Sequence, residues 1–133
     1  MTWLFIDSRD RQNTAFGWLG DEPTKRGAAP QLWFAGSSLI ADLSRHIKLD
    51  RLRKTDGICV VSGPGSFSSI RTGVLIANLL SRVCCLPLYA VHADEAMDLA
   101  GLTDKLRLGK LKSSSYVAPE YDREPNITIA PAL

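Results

Sequence analysis

The middle of the sequence, from residue 57 to residue 85, reads GICVVSGPGSFSSIRTGVLIANLLSRVCC. Its first five residues, 57–61, form a short apolar run. Such a run predicts a strand that is covered on both faces, as in a parallel sheet flanked by helices. Residues 62–66 are rich in glycine and serine and predict a tight loop. The apolar run from Phe67 to Cys85 predicts a helix, and Pro87 ends it. A buried strand, a loop and a helix in this order indicate an α/β fold.

The elements on either side extend this unit to one mixed sheet. A helix is predicted to begin near Leu39, with Ser37 or Ser38 as its N-cap, and to end in the basic stretch between Arg45 and Lys54. Another helix is predicted over 94–100. The predicted strands are residues 2–7, 13–19, 31–35, 57–61 and 88–91, and 126–129 is a candidate for one more. The order β-β-β-α-β-α-β-α therefore predicts a mixed β-sheet with helices on its faces.

Composition places the chain among single globular domains. It has 133 residues, 45% hydrophobic and 23% charged, with a formal net charge of +2. We predict a compact lobe over 1–101, followed by a linker and an extended tail over 102–133. The basic groups at 45–54 and 105–112 are interpreted as solvated surface in preference to RNA contacts.

Targeting and cysteine usage predict a cytoplasmic protein. The sequence has neither a signal peptide nor a membrane-spanning run of about 18 apolar residues. Cys59, Cys84 and Cys85 form a poor set for disulfides, so they are interpreted as reduced core residues. His46 and His92 stand alone in the sequence, and no metal site is predicted.

The loop at 62–66 fits none of the common glycine-rich motifs. A Walker loop would need a lysine at its end, a dinucleotide fingerprint would need glycine at Ser68, and a nucleophile elbow would need glycines around its serine. Two interpretations remain: a turn with a helix N-cap, which is favoured, or an anion site at the helix N-terminus. The candidate phosphate or nucleotide contacts are Asp7, Ser8, Gly63, Gly65 and Ser66. No catalytic residue is predicted.

The helix after the loop is apolar around most of its circumference. The sheet of a small domain covers one side of such a helix, so the other side needs a partner or another helix of the same chain. Small residues recur at Gly73, Ala77 and Ser81, which permits close helix packing. We predict a partner interface formed by Phe67, Ile70, Arg71, Gly73, Val74, Ala77 and Leu80.

The loop and the residues after it resemble the TsaB family, the non-catalytic subunit of the machinery that makes threonylcarbamoyladenosine in tRNA. The family's loop reads Gly-Pro-Gly-Ser-Phe-Thr-Gly-Leu/Val-Arg-x-Gly. The residues that match it are Gly63, Pro64, Gly65, Ser66, Phe67, Arg71 and Gly73, whereas Ser68 and Ser69 replace Thr-Gly. The turn at Asp7-Ser8 and the closing Pro119, Tyr121 and Arg123 also resemble the family. About 40 residues carry the convincing part of the resemblance.

The resemblance implies one RNase H-like lobe of the actin/Hsp70/sugar-kinase superfold, with the tail at 102–133 in place of most of a second lobe. It implies a scaffold that binds and activates a TsaD-like catalytic subunit, with no cofactor of its own and nucleotide only at a partner interface. The small ATPase subunit of the pathway is a further candidate partner, and a second copy of the chain is a candidate partner when the chain is alone. Direct tRNA contact stays open. The alternatives are a nucleotide-binding hydrolase or peptidase-like enzyme of the same superfold, and a decayed member without a partner.

Overall fold

The structure, a computed structural model, describes residues 2–10, 14–20, 32–34, 38–65 and 67–120. The strands are β1 (Trp3–Asp7), β2 (Ala15–Leu19), β3 (Leu32–Phe34), β4 (Gly57–Gly63) and β5 (Leu88–His92). The helices are α1 (Leu39–His46), α2 (Leu49–Leu52), α3 (Phe67–Cys84) and α4 (Leu99–Arg107), with a 3-10 turn at Glu95–Met97. The candidate strand at 126–129 and the closing residues Tyr121 and Arg123 lie outside the described residues.

The five strands form one mixed sheet in the order β3-β2-β1-β4-β5. The hairpin of β1 and β2 is antiparallel, and β2 pairs with β3 in the same way. Strand β4 lies parallel to β1 on one side and parallel to β5 on the other. The predicted mixed sheet is therefore confirmed. The carboxyl ends of β1, β4 and β5 meet at one edge of the sheet.

Helices cover both faces of the central strands. On one face, α1, α2 and α3 pack against a cluster that includes Leu4, Ile58 and Val60. On the other face, α4 inserts Leu102 and Leu106 against a second cluster that includes Phe5, Cys59 and Val61. Successive residues of a strand point to opposite faces. An uninterrupted apolar strand such as β4 is therefore the pattern that two covered faces require.

The predicted helix over 94–100 is wrong in its bounds. A short 3-10 turn occupies Glu95–Met97, and α4 begins at Leu99 because the Asp98 carboxylate accepts a hydrogen bond of 3.0 Å from the Gly101 N–H. Helix α4 runs to Arg107, so it crosses the predicted boundary at residue 101 and enters the segment predicted as a linker. The division into a lobe and a tail stays a prediction.

The interpretation of the cysteines is correct for two of the three. Cys59 and Cys84 are buried, whereas Cys85 is exposed, and all three are free thiols. Burial raises the pKa of the Cys59 thiol, which keeps it protonated and unreactive. Cys85 adopts a φ of 55° just after α3, the left-handed conformation that commonly ends a helix. In the described part of the chain, no helix is long and apolar enough to cross a membrane.

Candidate functional site

The acidic residue at the end of β1 is engaged by an arginine of its own turn. Arg9 donates from Nε to Asp7 Oδ1 at 3.0 Å and from Nη2 to Asp7 Oδ2 at 2.9 Å. The Arg9 backbone N–H also donates to Oδ1. The hydrogen bond to Asp7 raises the pKa of Arg9. Both carboxylate oxygens of Asp7 therefore already accept hydrogen bonds from Arg9. In the sequence, only the short separation of Asp7 and Arg9 indicated that the two side chains could pair.

Ser8 is buried beneath α3, where it lies against Gly73. Its side chain is only 1% exposed, and its Oγ is one of the two buried side-chain atoms that lack a hydrogen-bond partner within the described ranges. A Cβ on Gly73 would lie 2.7 Å from Ser8 Cβ and closer still to Ser8 Oγ. The β1–α3 contact thus requires glycine at position 73 and a small residue at position 8.

The glycine loop, which includes Gly63 and Gly65, lies at the same edge of the sheet. The segments around Arg9 and Glu120 pack against it. A Cβ on Gly65 would lie 2.9 Å from Arg9 Cα. Gly63 has a φ of 130°, and a Cβ there would collide with the backbone carbonyl of Glu120. The structure thus brings Asp7, Ser8, Gly63 and Gly65 together at one edge of the sheet, whereas Ser66 lies outside the described residues. Phosphate or nucleotide contact stays a prediction, because the nearby groups are an occupied carboxylate, a buried hydroxyl and Glu120.

Helix α3 turns most of the predicted interface residues toward the sheet. Ile70, Gly73, Val74 and Ala77 are buried, and Leu80 is half-buried against the same core. Their side chains face the core of the free chain, and a role in a partner interface stays a prediction for them. The same burial means that Gly73→Leu cannot be used to test an interface while the fold is preserved. The side chain of Phe67 is not among those described.

The outward face of α3 is also apolar. Leu75, Leu79 and Val83 are 66%, 60% and 52% exposed, and they follow the exposed Arg71 at intervals of four residues. Residues four apart stack on one side of a helix. These four residues therefore form one continuous row, called here the outer row. Periodicity identified two apolar faces in this helix, but it gave no means to decide which one meets the sheet.

A segment near the end of the described chain runs along the sheet beside α3. We call residues 114–120 the strap. The Ser114 N–H donates to the Leu88 carbonyl at 2.7 Å, and the Glu120 N–H donates to the Ser62 carbonyl at 2.6 Å. Between them, the Asn78 side chain donates to the Val117 carbonyl at 2.8 Å and accepts from the Val117 N–H at 2.9 Å. The Val117 side chain is buried in the core.

We expect Asn78→Leu to destabilise the fold by about 2 kcal/mol, because it leaves the N–H and carbonyl of Val117 without their partner. The free energy of unfolding, measured by urea denaturation, checks this value. Asn78→Asp retains the acceptor and loses the donor, so it should be destabilised as well. Ser68→Ala, on the exposed part of the same helix, is the matched control and should change stability by less than about 0.5 kcal/mol. Equal stability of Asn78→Leu and the control would mean that the strap is not held by this amide.

A family model for TsaD, described as tRNA N6-adenosine threonylcarbamoyltransferase, matches residues 38–108, which is more than half of the chain. The chain belongs to the TsaD family. The matched range runs from α1 to α4 and includes the glycine loop and the outer row. No curated protein sequence matches this TsaD-family chain.

A solved structure of YeaZ shares the fold of this TsaD-family chain. YeaZ from Pseudomonas aeruginosa superposes with a TM-score of 0.50 at 19% identity, over 69% of this chain and 43% of YeaZ. A second structure, of an uncharacterized protein with similarity to peptidase YEAZ from Pseudomonas aeruginosa, gives 0.49 at 19% identity, over 68% and 43%. The chain thus spans less than half the length of these proteins. With the family match, YeaZ (TsaB) as a fold relative confirms the resemblance seen in the sequence.

Proposed function

We propose that this chain is a non-catalytic subunit that binds a TsaD-type catalytic partner through the outer row of α3 and supports threonylcarbamoyl transfer to adenosine in tRNA. The family match supports a role in that pathway. The observation that carries the docking role is the outer row itself, where three large apolar side chains are more than half exposed.

The chemistry of the outer row fits a packed helix better than solvent. Single exposed apolar residues are common on protein surfaces, but a contiguous apolar row marks an interaction site. Rows of residues four apart are the ridges that interdigitate when two helices pack. Arg71 at one end of the row and Arg82 near the other are exposed, so acidic residues of a partner would complete the contact. The opposite face of α3 is fixed in the core, so the row is presented on a rigid element.

The resemblance to TsaB supports a TsaD-type partner, because in that family the helix after the glycine loop packs against the equivalent helix of the catalytic subunit. The same geometry would allow two copies of this chain to pair through the outer row with twofold symmetry. The small ATPase subunit of the pathway is a second candidate partner. Nothing in the docking role requires a nucleotide.

An enzymatic role is the second candidate, because the matched family is described by a transferase activity. It would have to use the strand-end edge, where Asp7 and the glycine loop lie. The ion pair of Asp7 with Arg9 and the position of Glu120 over Gly63 favour the non-catalytic role. ATP turnover by the purified chain, lost in Asp7→Ala, would favour the enzyme instead.

The proposal is tested by light scattering after size exclusion, with the chain alone and mixed with the TsaD-type protein of the same genome. We expect a mixed peak at the summed mass of the two proteins. A homodimer that persists in the presence of the TsaD-type protein would retain the outer row as an interface but contradict the proposed partner. Two separate monomer peaks would contradict both.

A further inference from the structure

We propose that the corner formed by α1 and α2 is an RNA-binding surface that contacts backbone phosphates through the exposed cations between residues 45 and 54, called here the basic corner. Its cations are Arg45, Lys48, Arg51, Arg53 and Lys54, and the only carboxylate in the same segment is Asp50. This segment is more positive than the whole chain, whose net charge is +2, so the rest of the chain is net negative. The inference rests on the proposed function for the choice of RNA over other polyanions.

The fold presents these cations on the outside of two short helices. Ile47 and Leu52 are buried in the core and hold the segment in place, while all five cations are exposed. Cations at a helix C-terminus are ordinarily explained by the helix dipole. That explanation covers Arg45 in the last turn of α1, but Lys48 precedes α2 and Lys54 follows it, so the dipole does not account for the whole group.

Two arginines of the basic corner have carboxylate partners at long distances. Arg45 lies 3.7 Å from Asp42, and Arg53 lies 3.9 Å from Asp50, whose side chain is 95% exposed. The Arg53–Asp50 pair is exposed on both sides, so it is worth little and is easily exchanged for phosphate. Asp56, the next carboxylate along the chain, accepts a hydrogen bond from the Thr2 N–H at 2.9 Å.

Arg51 is held in a fixed orientation at the surface. Its guanidinium carbon lies 4.4 Å from the centroid of the Trp18 ring, and that ring is almost fully buried. A guanidinium stacked on an aromatic ring loses less freedom when it binds, and its planar fork matches a phosphate. Arg51 lies between the exposed Lys48 and Lys54 in the sequence, and a series of exposed cations is suited to the phosphates of a nucleic acid strand.

The second basic segment, 105–112, is different and provides an internal control. Lys105 lies 3.3 Å from Glu95, and Arg107 lies 3.9 Å from Asp104. Lys110 and Lys112 are exposed lysines, as Lys48 and Lys54 are, but they lie after α4 on the opposite side of the sheet. A pair of substitutions there removes the same charge from the chain without touching the basic corner.

The experiment measures the fluorescence anisotropy of a labelled tRNA transcript titrated with the full chain, between about 50 and 200 mM NaCl. We expect Lys48→Gln with Lys54→Gln to weaken binding about tenfold and to reduce the slope of log affinity against log salt by about 1.5, since two phosphate contacts are lost. Lys110→Gln with Lys112→Gln should stay within about twofold of the wild type. Because all four lysines are exposed, circular dichroism should show unchanged folding in both variants.

Three results would overturn the inference. They are the absence of tRNA binding at about 50 mM salt, an equal loss in both double variants, and displacement of tRNA by polyglutamate at equal charge concentration, which would indicate an acidic protein instead. The docking proposal is tested independently of this inference. The basic-corner variant should retain affinity for the TsaD-type protein, and a variant of the outer row should retain affinity for tRNA.

Discussion

Gly73→Leu should prevent stable folding, with a loss of at least about 3 kcal/mol in the free energy of unfolding. The reason is the contact between α3 and the end of β1. A Cβ at position 73 would already lie 2.7 Å from Ser8 Cβ, and Ser8 is itself buried. A leucine adds three more carbons in the same place, so α3 would have to move off the sheet. Urea denaturation followed by circular dichroism measures the loss.

A double-mutant cycle shows whether the contact with Ser8 is the cause. Gly73→Ala gains about 1 kcal/mol of helix propensity but meets Ser8, so it should still be destabilised. Combined with Ser8→Gly, which removes both atoms that it meets, Gly73→Ala should recover a large part of its loss. Thr72→Leu places a leucine at the neighbouring exposed position and should change stability by less than about 0.5 kcal/mol. If Gly73→Leu were as stable as Thr72→Leu, the close approach of α3 to β1 would be wrong.

The strand, loop and helix between residues 57 and 84 could be predicted because their sequence pattern is local. An apolar strand bounded by a charged turn and a glycine loop has few alternatives, and a proline after the helix limits its extent. The hairpin of β1 and β2 follows from the same kind of pattern. The observed lengths of β1, β2 and β4 each differ from the predicted lengths by at most two residues.

Other features depend on residues that are distant in the sequence. The inward face of α3 is decided by its contacts with β1 and β4, and no periodicity within the helix distinguishes two apolar faces. The amide of Asn78 binds Val117, which is 39 residues away.

The start of α4 has a local cause that the sequence pattern did not distinguish. The Asp98 side chain accepts a hydrogen bond from the Gly101 N–H, whereas the equally polar Asp94 does not cap the preceding turn.

Leu79→Asp should abolish docking of the TsaD-type partner, with a loss of about 100-fold or more in affinity. Leu79 occupies the middle of the outer row and is 60% exposed in the free chain, so a carboxylate there is solvated and the fold should be unchanged. In a complex the same carboxylate would be buried among apolar side chains without a partner. Truncation of a hot-spot residue near the centre of an interface costs about 2 kcal/mol or more, and a buried unpaired charge adds to that cost. Isothermal titration of the two purified proteins measures the change.

Met97→Asp is the matched control, because it also replaces a large exposed apolar side chain with a carboxylate. Met97 is 78% exposed and lies in the 3-10 turn, on the side of the sheet that α4 covers. Its variant should bind the partner within about twofold of the wild type. A parallel loss in both variants would indicate a general effect of charge, and unchanged binding by Leu79→Asp would exclude the centre of the outer row as the interface. The contrast between the two variants therefore tests the position of the docking surface separately from the exposure of apolar side chains, which both share.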